Sequence, residues 1–133
     1  MTTLSTTART AMAAALITAA GASAKLKGYN GARPAVLGAV TGGNTLLCTI
    51  TFGATIGTAA AGAVDFDEAG ATQTNASHVA GTPTFFDITT SADVVVARVD
   101  VGAGADQWQW TGAVVTGQNI TLTGLALTVG NAT

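Results

Sequence analysis

Leu46-Leu47-Cys48-Thr49-Ile50-Thr51-Phe52 decides how the rest of the chain is read. Leu46, Cys48, Ile50 and Phe52 fall on alternate positions, with Leu47, Thr49 and Thr51 between them. Successive strand side chains point to opposite faces, so this is a period-two strand with one apolar side. The same period recurs downstream. Val64 and Phe66 alternate with Asp65 and Asp67, which predicts a strand with one wet face. Thr84, Phe86 and Ile88 are expected inward, with Phe85 and Asp87 outward. Val95, Ala97, Val99 and Val101 alternate with Val96, Arg98 and Asp100, and Gly102 to Asp106 follows as a turn into Gln107-Trp108-Gln109-Trp110. Upstream, Leu26 to Tyr29 is a short strand closed by the turn-like Asn30-Gly31-Ala32-Arg33-Pro34. Ile120 and Leu122 sit on even positions but Leu125, Leu127 and Val129 on odd ones, so a bulge is expected near Gly124. The Ala/Gly stretch 53–62 reads as a loop or loose edge, and 69–78 as a long polar loop.

The N-terminal segment has a different period. Leu4, Ala8, Met12, Leu16 and Ala19 recur at spacings of three and four, the stripe of an amphipathic helix. Ser5 or a neighbouring Thr is placed to cap it, and Gly21 to end it. Arg9, the Ala-rich run 11–20 and Ala22-Ser23-Ala24 also imitate a secretory signal. One positive charge and an apolar run made mostly of Ala favour a packed helix instead. The expectation is one domain: a helix over 1–22 packed on a β-domain over 23–133. One helix and seven or eight short strands with Gly-rich turns make the fold class mainly β, an antiparallel β-sandwich or jelly-roll-like domain.

Composition narrows the function. Five basic and seven acidic residues make only 9% of the chain charged, whereas about a quarter is usual. With 48% of residues hydrophobic, the chain reads as an assembly part with a Thr/Ala/Gly surface, and not as a catalyst. The basic residues are scattered, so no stripe faces phosphates and no nucleic-acid partner is expected. No run is long and apolar enough to span a bilayer, so no membrane partner is expected either. Cys48 has no second cysteine to pair with and is read as a small buried hydrophobe.

Candidate chemistry is sparse. His78 is the only histidine, and no nucleophile motif accompanies it, so no catalytic residue is assigned. Asp65, Asp67 and Glu68 lack the spacing of a calcium loop and read as a solvated strand face, so no metal or other cofactor is expected. Trp108 and Trp110, at i and i+2, share a strand face. Burial in the core or between subunits is preferred for them over a sugar-stacking platform. The candidate interface residues are Leu4, Met12, Trp108 and Trp110.

One ordered set of segments carries a resemblance. Leu4-Ser5-Thr6-Thr7-Ala8-Arg9 precedes Tyr29-Asn30-Gly31-Ala32-Arg33-Pro34, then Thr45 to Phe52 and Gly81-Thr82-Pro83-Thr84-Phe85-Phe86-Asp87-Ile88. Val101 to Asp106 and Gly117-Gln118-Asn119-Ile120-Thr121-Leu122 onward to Thr128 complete it. This order resembles a family of small Ala/Gly/Thr-rich virion proteins of tailed bacteriophages and prophages, over nearly the whole chain. It departs from the family at Val94-Val95-Val96, an apolar run where a polar turn is usual. The resemblance implies a virion structural protein without catalytic residues. The expected role is capsid decoration (cement) on the phage head, assembled in the host cytoplasm. The major capsid protein and further copies of the chain, as dimers or trimers, would be its partners. A tail or neck component is the alternative within that class. A secreted carbohydrate-binding module using Trp108 and Trp110 is the alternative outside it.

Overall fold

Ser5 starts the one α-helix among the described residues. Its side-chain oxygen accepts from the Ala8 N–H at 3.1 Å, satisfying one of the free donors of the first turn. Helix α1 (Thr6–Ala20) ends at Gly21, whose φ of +72° lets its N–H donate back to Ile17. The computed structural model describes residues 3–37, 43–102, 108–110, 112–122 and 125–129. The predicted cap and stop therefore hold, but the buried stripe is rotated from the expected one. Ala13 and Ala20 are buried with Leu16 and Ile17 beside them, whereas Met12 and Ala19 face solvent.

Eight strands follow among the described residues: β1 (Lys25–Tyr29), β2 (Leu46–Thr51), β3 (Gly57–Ala60), β4 (Ala63–Phe66), β5 (Thr72–Gln73), β6 (Phe85–Thr89), β7 (Val95–Asp100) and β8 (Ala126–Thr128). They form two antiparallel sheets, ordered β5-β2-β1-β6-β7 and β3-β4-β8. The chain is thus mainly β with one N-terminal helix, as the alternation predicts. Register shows which side chains share a face of the five-stranded sheet. Leu26 lies between Ile50 and Ile88, and Gly28 between Cys48 and Phe86. These apolar residues form one core with Val64 and Phe66 of the smaller sheet.

Three further expectations are corrected first. The first is the stretch 53–62, which contains β3 and the turn Ala61-Gly62, with φ of +51° and +81°. That pair of positive φ values is the tight hairpin geometry that turns β3 into β4. The second is Leu46, which is exposed while Leu47 is fully buried. The register shift opposite Gly28/Tyr29 places an extra residue in β2, and one residue reverses the facing of everything before it. The third is β6, which is buried along its whole length, Phe85 and Asp87 included. Its outer face is covered by the segment after β1, because Arg98 donates to the carbonyls of Pro34 and Val36.

The loop expected over 69–78 holds β5 and a 3-10 turn, Asn75–Ser77. The Val94-Val95-Val96 run begins in a solvent-facing hairpin turn, with Val94 exposed and Val95 already in β7. The turn expected at 102–106 and the bulge near Gly124 lie mostly outside the described residues.

Candidate interaction surface

The outward face of α1 is made of Ala11, Met12, Ala14, Ala15, Thr18 and Ala19. None carries a charge, although the exposed side of a surface helix normally does. The helix is firmly seated. Thr10 Oγ1 donates to the Thr6 carbonyl and accepts from the Gly62 N–H at 2.8 Å, tying α1 to the β3–β4 turn. Gly62 is needed there, since a Cβ would lie 3.1 Å from Arg9 Cβ and Cζ at a φ of +81°. Thr18 is exposed and donates its hydroxyl back to the Ala14 carbonyl at 3.1 Å. Met12 is 44% exposed on this face, and Leu4 is half-buried at its start.

The two tryptophans have separate fates. Trp108 is 8% exposed and sits between the sheets, edge-on to Phe66 and tilted against Phe86, both at 5.6 Å. Its Nε1–H donates to the Ala126 carbonyl at 2.8 Å, so the indole's one polar group is used inside the protein. Trp110 packs on the same Phe86 ring at 5.1 Å but remains half-buried. It walls a groove of about 420 Å³ completed by Ile120, Leu122 and Leu125, with Ala113 and Thr121 on the rim. The four candidate interface residues are thus placed differently: Trp108 is interior, Trp110 is a groove wall, Leu4 is half-buried and Met12 is exposed.

Sequence reasoning missed the opposite wall of that groove. Gln73 holds it by donating to the Ile120 carbonyl at 2.7 Å and accepting the Ile120 N–H at 2.8 Å. A single amide side chain thus acts as a short strand beside residues 119–122. Glu68, counted in sequence as part of a solvated face, accepts the Leu125 N–H. Asp67 accepts the Gly70 N–H, and Asp65 remains exposed on β4. The carboxylates are thus partly spent on backbone. Among the described residues no group of three His, Cys, Asp or Glu side chains is placed to hold a metal ion.

The remaining reactive groups are internal. His78 is buried, with Nδ1 3.0 Å from the Gln118 carbonyl oxygen, so it links the 3-10 turn to the segment after Gly117. Cys48 is buried as expected, and burial pushes its thiol up to about 11. A cluster that sequence reading did not assemble lies on the outer face of the larger sheet. Asp87 and Arg98 are opposed across β6 and β7, each with a side chain 1% exposed. Arg98 also lies over the Phe85 ring at 4.9 Å, and Phe85 stacks on Tyr29.

The chain matches no protein-family profile, no curated protein and no solved structure. The fold and surface together define a two-sheet β-protein with one seated helix whose outward face is uncharged. No helix among the described residues is long and apolar enough to cross a membrane.

Proposed function

We propose that the chain is a structural component of a tailed-phage virion, acting as a decoration protein that bridges subunits of the capsid shell. The observation that carries the proposal is the outward face of α1, uncharged and fixed to the body through Thr10, Arg9 and Gly62. A rigid face of Ala, Thr and Met can approach another protein closely without desolvating charge. The low charge content acts in the same direction, since a net charge of only −2 opposes crowding of copies weakly. Each such contact can be modest in area, because many copies engaging a shell at once raise the overall strength through multivalency.

A tail or neck component would use the same face and is separated by location alone. The carbohydrate-binding alternative has less to work with, because Trp108 is enclosed and its N–H engaged. The experiment is a cryo-EM reconstruction of the particle with which the chain purifies. Density at icosahedral positions over the head supports decoration, and density restricted to the tail axis moves the chain there. Absence from every particle overturns the proposal.

A further inference from the structure

Asn30 closes the foot of the segment between β1 and β2, and its surroundings are those of a reacting group. It is the only asparagine of the chain that is followed by glycine. A backbone nitrogen attacks the preceding asparagine most readily at such a pair, because glycine has no side chain to obstruct the ring. The fold itself demands that glycine. Gly31 has a φ of +82°, and a Cβ there would run into the Gly43 carbonyl oxygen.

Each group that ring closure uses is placed for it. The nucleophile is the Gly31 nitrogen. Gly31 is exposed, and among the described residues its N–H meets no acceptor, so it is open to solvent base. Asn44 Nδ2 donates to the Asn30 carbonyl at 2.9 Å. A donor on that oxygen favours the deprotonated form of the Asn30–Gly31 peptide, which makes the nitrogen a better nucleophile. The electrophile is Asn30 Cγ. Its Oδ1 accepts the Thr45 N–H at 2.9 Å, so a donor already points at the oxygen on which negative charge develops. The leaving group is Asn30 Nδ2, which has no partner among the described residues.

We propose that Asn30 is a site of self-modification, converted through a succinimide to aspartate and isoaspartate, with Asn44 and the Thr45 N–H promoting the step. Base takes the Gly31 N–H proton, the nitrogen bonds to Asn30 Cγ, and the Cγ–Nδ2 bond breaks with release of ammonia. Water then opens the ring. Opening at Cγ leaves aspartate, whereas opening at the Asn30 carbonyl carbon leaves isoaspartate, with the chain running through Cγ. The first product adds a carboxylate at a half-buried position. The second lengthens the backbone just before Gly31, whose carbonyl Thr84 Oγ1 holds at 2.7 Å. The cover that Pro34 and Val36 lay over Arg98 starts from that point. Conversion therefore loosens the cover of the buried Asp87–Arg98 pair as the protein ages. It does so whatever the chain assembles with.

The test is peptide mass spectrometry of the full chain stored at mildly alkaline pH, native and in guanidinium chloride. The native chain is expected to gain aspartate and isoaspartate at Asn30 while its other asparagines stay amides, and to melt lower than fresh protein. Asn44→Ala separates promotion from mere looseness. A freed Asn30–Gly31 pair would convert faster, whereas loss of the activating hydrogen bond is expected to slow native conversion about tenfold. The same variant is expected to convert like the wild type once both are unfolded. A native Asn30 that stays intact while the unfolded chain converts overturns the proposal, and that comparison needs no variant. Native Asn44→Ala converting as fast as the wild type, or faster, overturns the promotion, and an unchanged melt after conversion overturns the loosening.

Discussion

Asp87 and Arg98 meet side by side on neighbouring strands, Oδ1 to Nε at 2.5 Å and Oδ2 to Nη2 at 2.8 Å. The two-pronged contact raises the Arg98 guanidinium above its ordinary value through the hydrogen bonds it donates to Asp87. Removing one partner strands the other's charge inside the protein. Asp87→Ala is expected to lose about 3–5 kcal/mol, measured by urea unfolding. Asp87→Leu combined with Arg98→Met is expected to lose less than Asp87→Ala, because neither charge is then buried alone. A double variant as unstable as the single one would show that the cost of Asp87→Ala does not come from stranding the Arg98 charge.

Gly28 faces the core where no side chain fits. A Cβ there would lie 2.7 Å from Phe86 Cε1 and 2.8 Å from Cys48 Sγ. Gly28→Ala is expected to destabilise by about 1–3 kcal/mol through overpacking. In a Cys48→Ala background the cost should shrink, since one of the two clashes is gone. Thermal melts of the four chains give the coupling directly.

Trp108 combines ring packing with one hydrogen bond. Trp108→Ala is expected to cost about 3–5 kcal/mol by opening a cavity between the sheets. Trp108→Phe keeps a ring but leaves the Ala126 carbonyl without its donor, a loss of about 1–3 kcal/mol. Chemical denaturation with far-UV circular dichroism separates the two.

Cys48 links burial to alkaline stability. Desolvation holds its thiol at about 11 against an ordinary 9.0, only partly offset by its hydrogen bond with the Gly28 backbone. The unfolded chain then releases that proton at a lower pH than the folded chain does. Stability is therefore expected to fall as pH rises from about 9 to 11, and Cys48→Ala should lack that part of the slope. At neutral pH the native thiol should react with a disulfide reagent only at the rate of opening.

Asp93 shows the opposite sign at acid pH. Hydrogen bonds from Lys27 and then Lys25 lower its carboxyl to about 2 from 3.8. Its contribution is present above its ordinary value and is lost as pH falls from about 4 to 2. The carboxyl is at the surface, so added salt should weaken the effect. An NMR titration of Asp93 is expected to move back toward 3.8 in Lys25→Gln/Lys27→Gln.

What was legible in sequence was whatever depends on neighbours along the chain. Ser5 and Gly21 bound a helix because capping is local, and Val64 and Phe66 alternate with exposed Asp65 because β4 has one dry face. Asp87 was illegible for the opposite reason. Its partner Arg98 is on another strand, and the cover over both comes from Pro34 and Val36, some fifty residues earlier. In α1 the apolar period cannot choose between Met12 and Ala13, as nearly every position is small or apolar. The seat on Gly62 decides that Ala13 turns inward. The outward face of α1 was legible only in composition, because its period is ambiguous, and the Trp110 groove was not legible, because Gln73 holds Ile120 from a segment distant in sequence.

The position of β8 governs the order in which the protein comes into being. α1 is synthesised first, but its seat, the β3–β4 turn, emerges some forty residues later. β4 then waits for β8 at Ala126–Thr128 before the smaller sheet is whole. Pairings so remote in sequence slow folding, since long loops must close before any contact rewards them. Until β8 is made, the β4 edge that it covers stays unpaired. The smaller sheet is therefore closed by its most distant segment, whereas the seat of α1 is complete as soon as the β3–β4 turn has formed.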